Sequence, residues 1–122
     1  MASGETTEVL NTGEEELDYE NITPGELKKR LDAGERPELL DVREPWEYET
    51  ARIEGSMLIP IGELPERVSE LDPAAEMVVI CHYGARSAYA TQALQRSGFE
   101  NVINLEGGLD AYSQVDDSVP RY

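Results

Sequence analysis

The chain has 122 residues and a formal net charge of −16, a length that suits one domain with one hydrophobic core. The charge argues against nucleic acid as a partner, because phosphate would be repelled. The longest apolar runs, such as Met77 to Cys81, are far too short to span a bilayer. The acidic, polar start lacks the basic and apolar regions of a signal peptide. We therefore expect a soluble, cytoplasmic protein that binds neither nucleic acid nor a membrane.

The residue counts also limit the chemistry, because the chain has one cysteine, Cys81, and one histidine, His82. A lone cysteine forms no internal disulfide, no two-cysteine redox motif and no cysteine-rich zinc site. We expect no metal and no cofactor. If Cys81 reacts, it reacts alone or with the thiol of a partner.

The order of polar and apolar segments predicts an acidic, disordered tail at residues 1–17 and a globular domain at residues 18–122. Thr23-Pro24-Gly25-Glu26 predicts a capped helix start, and that helix is expected to end near Ala33. Strands are expected at 19–22, 38–42, 56–59, 77–80 and 102–105, and helical segments at 45–50, 62–70, 87–95 and after Gly107-Gly108. This alternation predicts an α/β domain with a mainly parallel sheet. Residues 77–80 are the most apolar strand and are expected at its centre.

Cys81 directly follows this central strand, where ligands of parallel sheets usually bind. A short loop and a helix come next, and backbone N–H groups of a loop and a helix start can converge on one anion. Gly84 permits the required turn, and Arg86 adds a permanent charge suited to oxyanions. These features should raise the thiolate fraction of Cys81. Ser87 either caps the helix or donates to the sulfur.

Less specific interpretations also exist for these residues. A single cysteine is most often a small buried hydrophobic residue, but packing does not explain an arginine five positions later. His82 is either a general acid or a simple loop residue. Tyr83 either lines the pocket or is exposed.

Four motifs in order resemble those of the rhodanese family of sulfurtransferases, over about residues 19–122. They are Leu39-Leu40-Asp41-Val42-Arg43-Glu44-Pro45-Trp46-Glu47-Tyr48, Arg52-Ile53-Glu54-Gly55-Ser56-Met57-Leu58-Ile59-Pro60, the loop from Cys81 to Ser87, and Asn101-Val102-Ile103-Asn104-Leu105-Glu106-Gly107-Gly108-Leu109. The resemblance implies a rhodanese-like fold, with a five-stranded, mainly parallel sheet and helices on both faces. The ending, residues 115–122, is similar to that of rhodanese domains fused to activating enzymes of molybdopterin and thiamine pathways.

The resemblance further implies two-step covalent catalysis of the thiosulfate sulfurtransferase kind, in which Cys81 carries a persulfide and no separate cofactor is needed. The implied substrate-binding residues are His82, Tyr83, Gly84, Ala85, Arg86, Ser87 and Arg43. Within this set the loop N–H groups would hold the persulfide, and Arg86 would bind the oxyanion end of the donor. Asp41 is expected to be structural and close to the loop. Arg43 is either a salt-bridge partner of an acid or a source of positive potential.

Implied partners are a small sulfur donor, such as thiosulfate, and an acceptor, such as cyanide, a thiol, thioredoxin or a sulfur-carrier protein. A cysteine desulfurase persulfide is an alternative donor. The second loop position is often basic in the family and is His82 here, so less positive charge surrounds the donor. Trp46 and Tyr48 are expected to pack rather than to contact substrate.

Two other functions use a similar pattern. Phosphatases and arsenate reductases also place a cysteine and an arginine at the ends of a loop, but tyrosine phosphatases have five residues between them. Only four separate Cys81 from Arg86, which favours a sulfur atom over a tetrahedral phosphate. A non-catalytic rhodanese-like binding module is the third candidate, although such modules typically lack the cysteine.

Overall fold

The computed structural model describes residues 19–122 and shows strands and helices that alternate along the chain. The strands are β1 (Glu20–Ile22), β2 (Glu38–Asp41), β3 (Met57–Leu58), β4 (Met77–Ile80) and β5 (Val102–Leu105). The α-helices are α1 (Pro24–Asp32), α2 (Pro45–Thr50), α3 (Leu64–Arg67), α4 (Ala85–Arg96) and α5 (Gly108–Tyr112). Two 3₁₀ turns, Ile61–Glu63 and Val68–Glu70, flank α3. The predicted tail at residues 1–17 lies outside the described residues.

The five strands form one sheet in the order β1-β5-β4-β2-β3, and every neighbouring pair is parallel. Val78 of β4 lies in register with Leu39 of β2 on one side and with Ile103 of β5 on the other. The predicted α/β class, the parallel sheet and the central position of 77–80 are therefore confirmed. A fully buried strand flanked on both sides is the usual place for a continuous apolar run such as Met77–Ile80.

Successive side chains of β4 point to opposite faces of the sheet and so divide the core in two. Val78 and Ile80 pack in the cluster that includes apolar residues of α1 and α5. Met77 and Val79 pack in the cluster that includes apolar residues of α3 and α4. Cys81 follows Val79 by two positions and belongs to the same cluster. The strand period therefore places the thiol on the side of the sheet that carries α4.

The predicted start of α1 is confirmed in detail. Thr23 Oγ1 accepts from the backbone N–H of Glu26 at 3.1 Å, and the Glu26 carboxylate accepts from the N–H of Thr23 at 2.9 Å. These reciprocal bonds satisfy two donors that a helix start leaves without partners. Ala33 is the C-cap, as the predicted end near that residue requires.

Two predicted helices differ from the structure. The segment expected as one helix at 62–70 is a 3₁₀ turn, one turn of α-helix and a second 3₁₀ turn. Pro65 has no N–H to donate to the carbonyl of Ile61, so a continuous α-helix is broken at that point. Helix α4 begins at Ala85 instead of Ser87, which places Arg86 in its first turn. No α-helix in residues 19–122 combines the length and the apolar character needed to cross a membrane.

Candidate active site

Cys81 lies at the carboxyl end of the sheet, one residue beyond β4, and is 1% exposed. Asp41, the last residue of the neighbouring strand β2, is in register with Ile80. The backbone N–H of Val42 donates to the carbonyl of Ile80 at 3.0 Å, which extends the strand pairing to the start of the loop. The sheet therefore brings the residues after Asp41 beside the cysteine loop, as the sequence predicts.

The loop after Cys81 is tight because Gly84 adopts φ 107°, in the left-handed region that favours glycine. This turn aims the backbone N–H of Gly84 at the Cys81 sulfur, with a nitrogen-to-Sγ distance of 3.0 Å. Gly84 is also the N-cap of α4, a helix of 12 residues. The partial positive charge of that helix end therefore lies next to the sulfur.

Ser87 is the second group in contact with the sulfur. Its Oγ lies 3.3 Å from Cys81 Sγ and 2.5 Å from Asn104 Oδ1. The Asn104 amide nitrogen donates to Asn21 Oδ1 at 2.9 Å, so Oδ1 is the free acceptor that faces Ser87. The serine hydrogen therefore points at Asn104, and Oγ accepts from the thiol. Both alternatives predicted for Ser87 are therefore wrong, because Gly84 is the helix cap and Ser87 accepts from the sulfur instead of donating to it.

Backbone N–H groups in the first turn of α5 bind the carbonyl groups of the cysteine loop. The N–H of Leu109 donates to the carbonyl of Cys81 at 2.8 Å, and that of Asp110 donates to the carbonyl of His82 at 2.9 Å. This approach requires Gly108, since a Cβ there would lie 2.6 Å from the Cys81 carbonyl oxygen and 2.5 Å from that of His82. The C-terminal motif thus fixes the backbone of the cysteine loop.

Arg86 forms a bidentate ion pair with Glu47 of α2, with nitrogen-to-oxygen distances of 2.8 and 3.0 Å. The Glu47 side chain is 6% exposed and that of Arg86 is 35% exposed. The hydrogen bonds from Arg86 lower the pKa of Glu47 to about 2, against the opposing effect of burial. The same bonds raise the pKa of Arg86, to which the Cys81 charge adds a smaller effect. The oxyanion-binding role of Arg86 stays a prediction, since its charge is already paired.

Arg43 is fully buried and is held by Asp41, whose oxygens lie 2.8 and 2.7 Å from two guanidinium nitrogens. It also donates to the carbonyl of Ala51 at 2.6 Å and to the Tyr122 hydroxyl at 2.7 Å. Burial disfavours the guanidinium charge, but Asp41 outweighs it and the pKa of Arg43 is raised. Of the two predicted alternatives, the geometry supports the salt bridge. A substrate-binding role for Arg43 stays a prediction.

Four aromatic rings, including that of His82, contact one another beside the cysteine loop. The His82 ring stacks on Tyr83 at 4.0 Å between centroids and on Tyr122 at 4.1 Å. The Tyr122 ring meets Trp46 edge-on at 6.2 Å. Tyr83 is 66% exposed and Trp46 is 63% exposed, so the expectation that Trp46 is a packing residue is wrong. The Nε2 atom of His82 is buried and has no hydrogen-bond partner among residues 19–122.

Sequence reasoning did not assign a role to Glu47, Tyr122 or Asn104. Glu47 lies in the first motif, but the sequence there does not distinguish it from Glu44, which is exposed. Tyr122 and Asn104 carry no local signal, because their partners lie 75 and 17 positions away along the chain. Ala85, the remaining predicted site residue, is exposed as the first residue of α4.

The fold is thus an α/β domain with a parallel sheet, in which a buried thiol at a strand end lies within a tight loop and against a helix start. The model of the Rhodanese-like domain family matches residues 23–115, and the chain belongs to this family. The predicted family and its fold are therefore confirmed.

Individual relatives agree with this assignment. The chain is 35% identical over 96 residues to the putative sulfurtransferase YtwF of Bacillus subtilis, covering 79% of this chain and 92% of that protein. It is 42% identical over 83 residues to the putative sulfur carrier protein YrkF of the same organism, covering 68% of this chain and 45% of that protein. A rhodanese-related protein from Thermoplasma volcanium superposes with a TM-score of 0.75 at 34% identity, covering 85% of this chain and 100% of that one. The chain spans less than half the length of the first curated relatives it matches.

Proposed function

We propose that the protein is a sulfurtransferase that carries sulfur as a persulfide on Cys81. In the first half-reaction the Cys81 thiolate attacks the outer sulfur of a sulfane donor. With thiosulfate the new bond joins Sγ to that sulfur, the bond to the sulfonate sulfur breaks, and sulfite leaves with the electron pair. In the second half-reaction a thiophilic acceptor takes the terminal sulfur and restores the thiolate, so one cysteine is sufficient.

The observation that carries this proposal is the Gly84 N–H, which lies 3.0 Å from Sγ at the start of α4. A thiolate and a persulfide are both anions, and a fixed N–H next to a helix start stabilises either one. The loop is already ordered by its bonds to α5, so little reorganisation is needed when charge develops on the sulfur.

For the sulfur donor and the sulfur acceptor we propose chemical classes and not single compounds. The donor class is a sulfane sulfur compound, with thiosulfate as the assay donor and a protein persulfide as an alternative. The acceptor is cyanide, a thiol or a sulfur-carrier protein. The names of YrkF, a putative sulfur carrier, and of MoeZ, a probable adenylyltransferase/sulfurtransferase, support a route in which sulfur passes between proteins.

The alternative hypotheses have less support. A phosphatase or arsenate reductase needs an arginine that is free to bind a tetrahedral oxyanion, whereas Glu47 already pairs with Arg86 through two bonds. A pure binding module has no need of a cysteine sulfur held by a backbone N–H.

The test is intact-protein mass spectrometry after incubation with thiosulfate. We expect the wild-type mass to increase by one sulfur atom, and cyanide to remove that atom and release thiocyanate. The Cys81→Ser variant should show neither the added mass nor thiocyanate. The exposed Tyr89→Phe variant, on the outer side of α4, serves as a control and should behave as wild type. Thiocyanate production by Cys81→Ser would refute the mechanism, and phosphate release from an aryl phosphate would favour the phosphatase instead.

A further inference from the structure

Glu47 is held so firmly that it acts as a permanent negative charge beside the cysteine loop. Its Oε1 accepts from the Glu44 N–H at 2.9 Å and from Arg86 at 2.8 Å. Its Oε2 accepts from Arg86 at 3.0 Å and from the Tyr122 hydroxyl at 2.9 Å. Four hydrogen bonds use the acceptor capacity of a carboxylate, so the group is ionised and fixed in place.

This arrangement leaves the loop without net positive charge from its arginines. Arg86 is neutralised by Glu47, and Arg43 is neutralised by the fully buried Asp41. The pair at Arg86 uses only two of its N–H donors, so the guanidinium still offers hydrogen bonds to a donor molecule. The guanidinium of Arg86 offers these hydrogen bonds while its positive charge is balanced by Glu47. The chain as a whole has a net charge of −16, so it adds no attraction for an anionic donor.

The geometry points to Glu47 as a specificity-determining residue that disfavours dianionic sulfur donors and favours donors of lower charge, such as thiosulfonates or thiol persulfides. The inference rests on the proposed sulfur transfer at Cys81 and deepens it. A dianion gains most from a free guanidinium charge, so neutralising Arg86 costs the dianion more than the monoanion. Glu47 does not touch the reacting atoms in this arrangement and acts through Arg86.

Two sulfur donors that break the same type of sulfur–sulfur bond but differ in charge show whether the charge of the donor determines the rate. Thiosulfate is a dianion and loses sulfite, whereas methanethiosulfonate is a monoanion of similar shape and loses methanesulfinate. In both, Sγ bonds to the outer sulfur and the bond to the oxidised sulfur breaks. The measured quantity is the second-order rate constant for persulfide formation on Cys81, followed by intact mass. The ratio of the thiosulfate constant to the thiosulfonate constant reports charge preference.

The variants are Glu47→Gln and, as a matched control, Glu49→Gln. Glu49 is exposed on the same helix, so its substitution makes the same change in net charge away from Arg86. We expect the ratio to rise by about threefold or more in Glu47→Gln, in the range that one partly exposed charge contact supplies. It should stay at the wild-type value in Glu49→Gln. An unchanged ratio in Glu47→Gln, or an equal rise in both variants, would overturn the inference.

A second measurement needs no variant and covers the case in which Glu47→Gln fails to fold. In the wild-type protein, added salt should leave the ratio unchanged or raise it, because salt screens repulsion by the acidic chain. A ratio that falls with salt would show a free cation attracting thiosulfate and would overturn the inference. If neither donor adds sulfur to the wild-type protein, the proposed sulfur transfer fails and this inference fails with it.

Discussion

Replacing Gly108 with alanine tests whether the start of α5 fixes the cysteine loop. Gly108 has φ 66°, and an added Cβ would lie 2.5 Å from the His82 carbonyl oxygen and 2.6 Å from that of Cys81. Neither carbonyl moves freely, because the N–H groups of Leu109 and Asp110 hold them at 2.8 and 2.9 Å. The methyl group must therefore displace the loop or α5.

Two costs determine the size of the effect. A non-glycine residue in the left-handed region costs about 1–2 kcal/mol, and forcing a methyl into a packed region costs a further ~1–3 kcal/mol. The free energy of unfolding of Gly108→Ala should then be lower than that of the wild type by about 2–5 kcal/mol. This is a large share of the ~5–15 kcal/mol that stabilises a typical domain. Gly34→Ala is the control, since Gly34 has φ 91° and no atom within 4 Å of an added Cβ. Gly34→Ala should be destabilised only by the left-handed backbone conformation, by about 1–2 kcal/mol.

The assay is urea unfolding followed by circular dichroism, with persulfide formation measured on the same samples. Effects of alanine on the unfolded chain are similar in both variants and cancel in the comparison. We expect Gly108→Ala to be the less stable variant and to load sulfur on Cys81 more slowly, while Gly34→Ala loads at the wild-type rate. Equal losses of stability in the two variants would refute the close approach between α5 and the loop.

Two further predictions concern the polar network beside the loop. The pKa of Glu47, lowered to about 2, lies below its unfolded value of 4.5. Its contribution to stability is therefore present above pH 4.5 and is lost as the pH falls toward 2. At about 1.4 kcal/mol per pH unit, that contribution is at most ~3.5 kcal/mol. The stability gap between wild type and Glu47→Gln, measured by urea unfolding, should shrink across that window, and a gap independent of pH would contradict the ion pair. Tyr122→Phe removes the hydroxyl that binds Arg43 and Glu47 but keeps the ring on His82, so we expect a loss of ~1–3 kcal/mol. Tyr83→Phe, at an exposed tyrosine, should be neutral, and equal stability of the two variants would argue against the network.

Much of the site was predictable because its signals are local. The β-branched run before Cys81 specifies a buried strand, Gly84 supplies the turn, and residues 85–96 have a helical pattern. These features depend on residues close in sequence, where chain geometry leaves few alternatives. The helix start was the weakest point, since Ala85 and Arg86 join the helix as soon as Gly84 has made the turn.

The partner of Arg86 was not predictable in the same way. The sequence did not indicate that Arg86 pairs with Glu47, which lies 39 positions earlier. Tyr122 reaches Glu47 from 75 positions away. Such contacts depend on how β2 and β4 pair and on where α2 and α4 then lie, which no short pattern contains.

The sequence by itself determined the parallel sheet and the position of Cys81 at a strand end, because both follow from spacing within one element or between neighbouring ones. Only the tertiary structure decided the charge around that cysteine. The packing of α2 against α4 places Glu47 against Arg86, whereas Asp41 lies only two positions from its partner Arg43. Because a paired arginine attracts an anion far less than a free one, this long-range contact lowers the positive potential beside the cysteine loop.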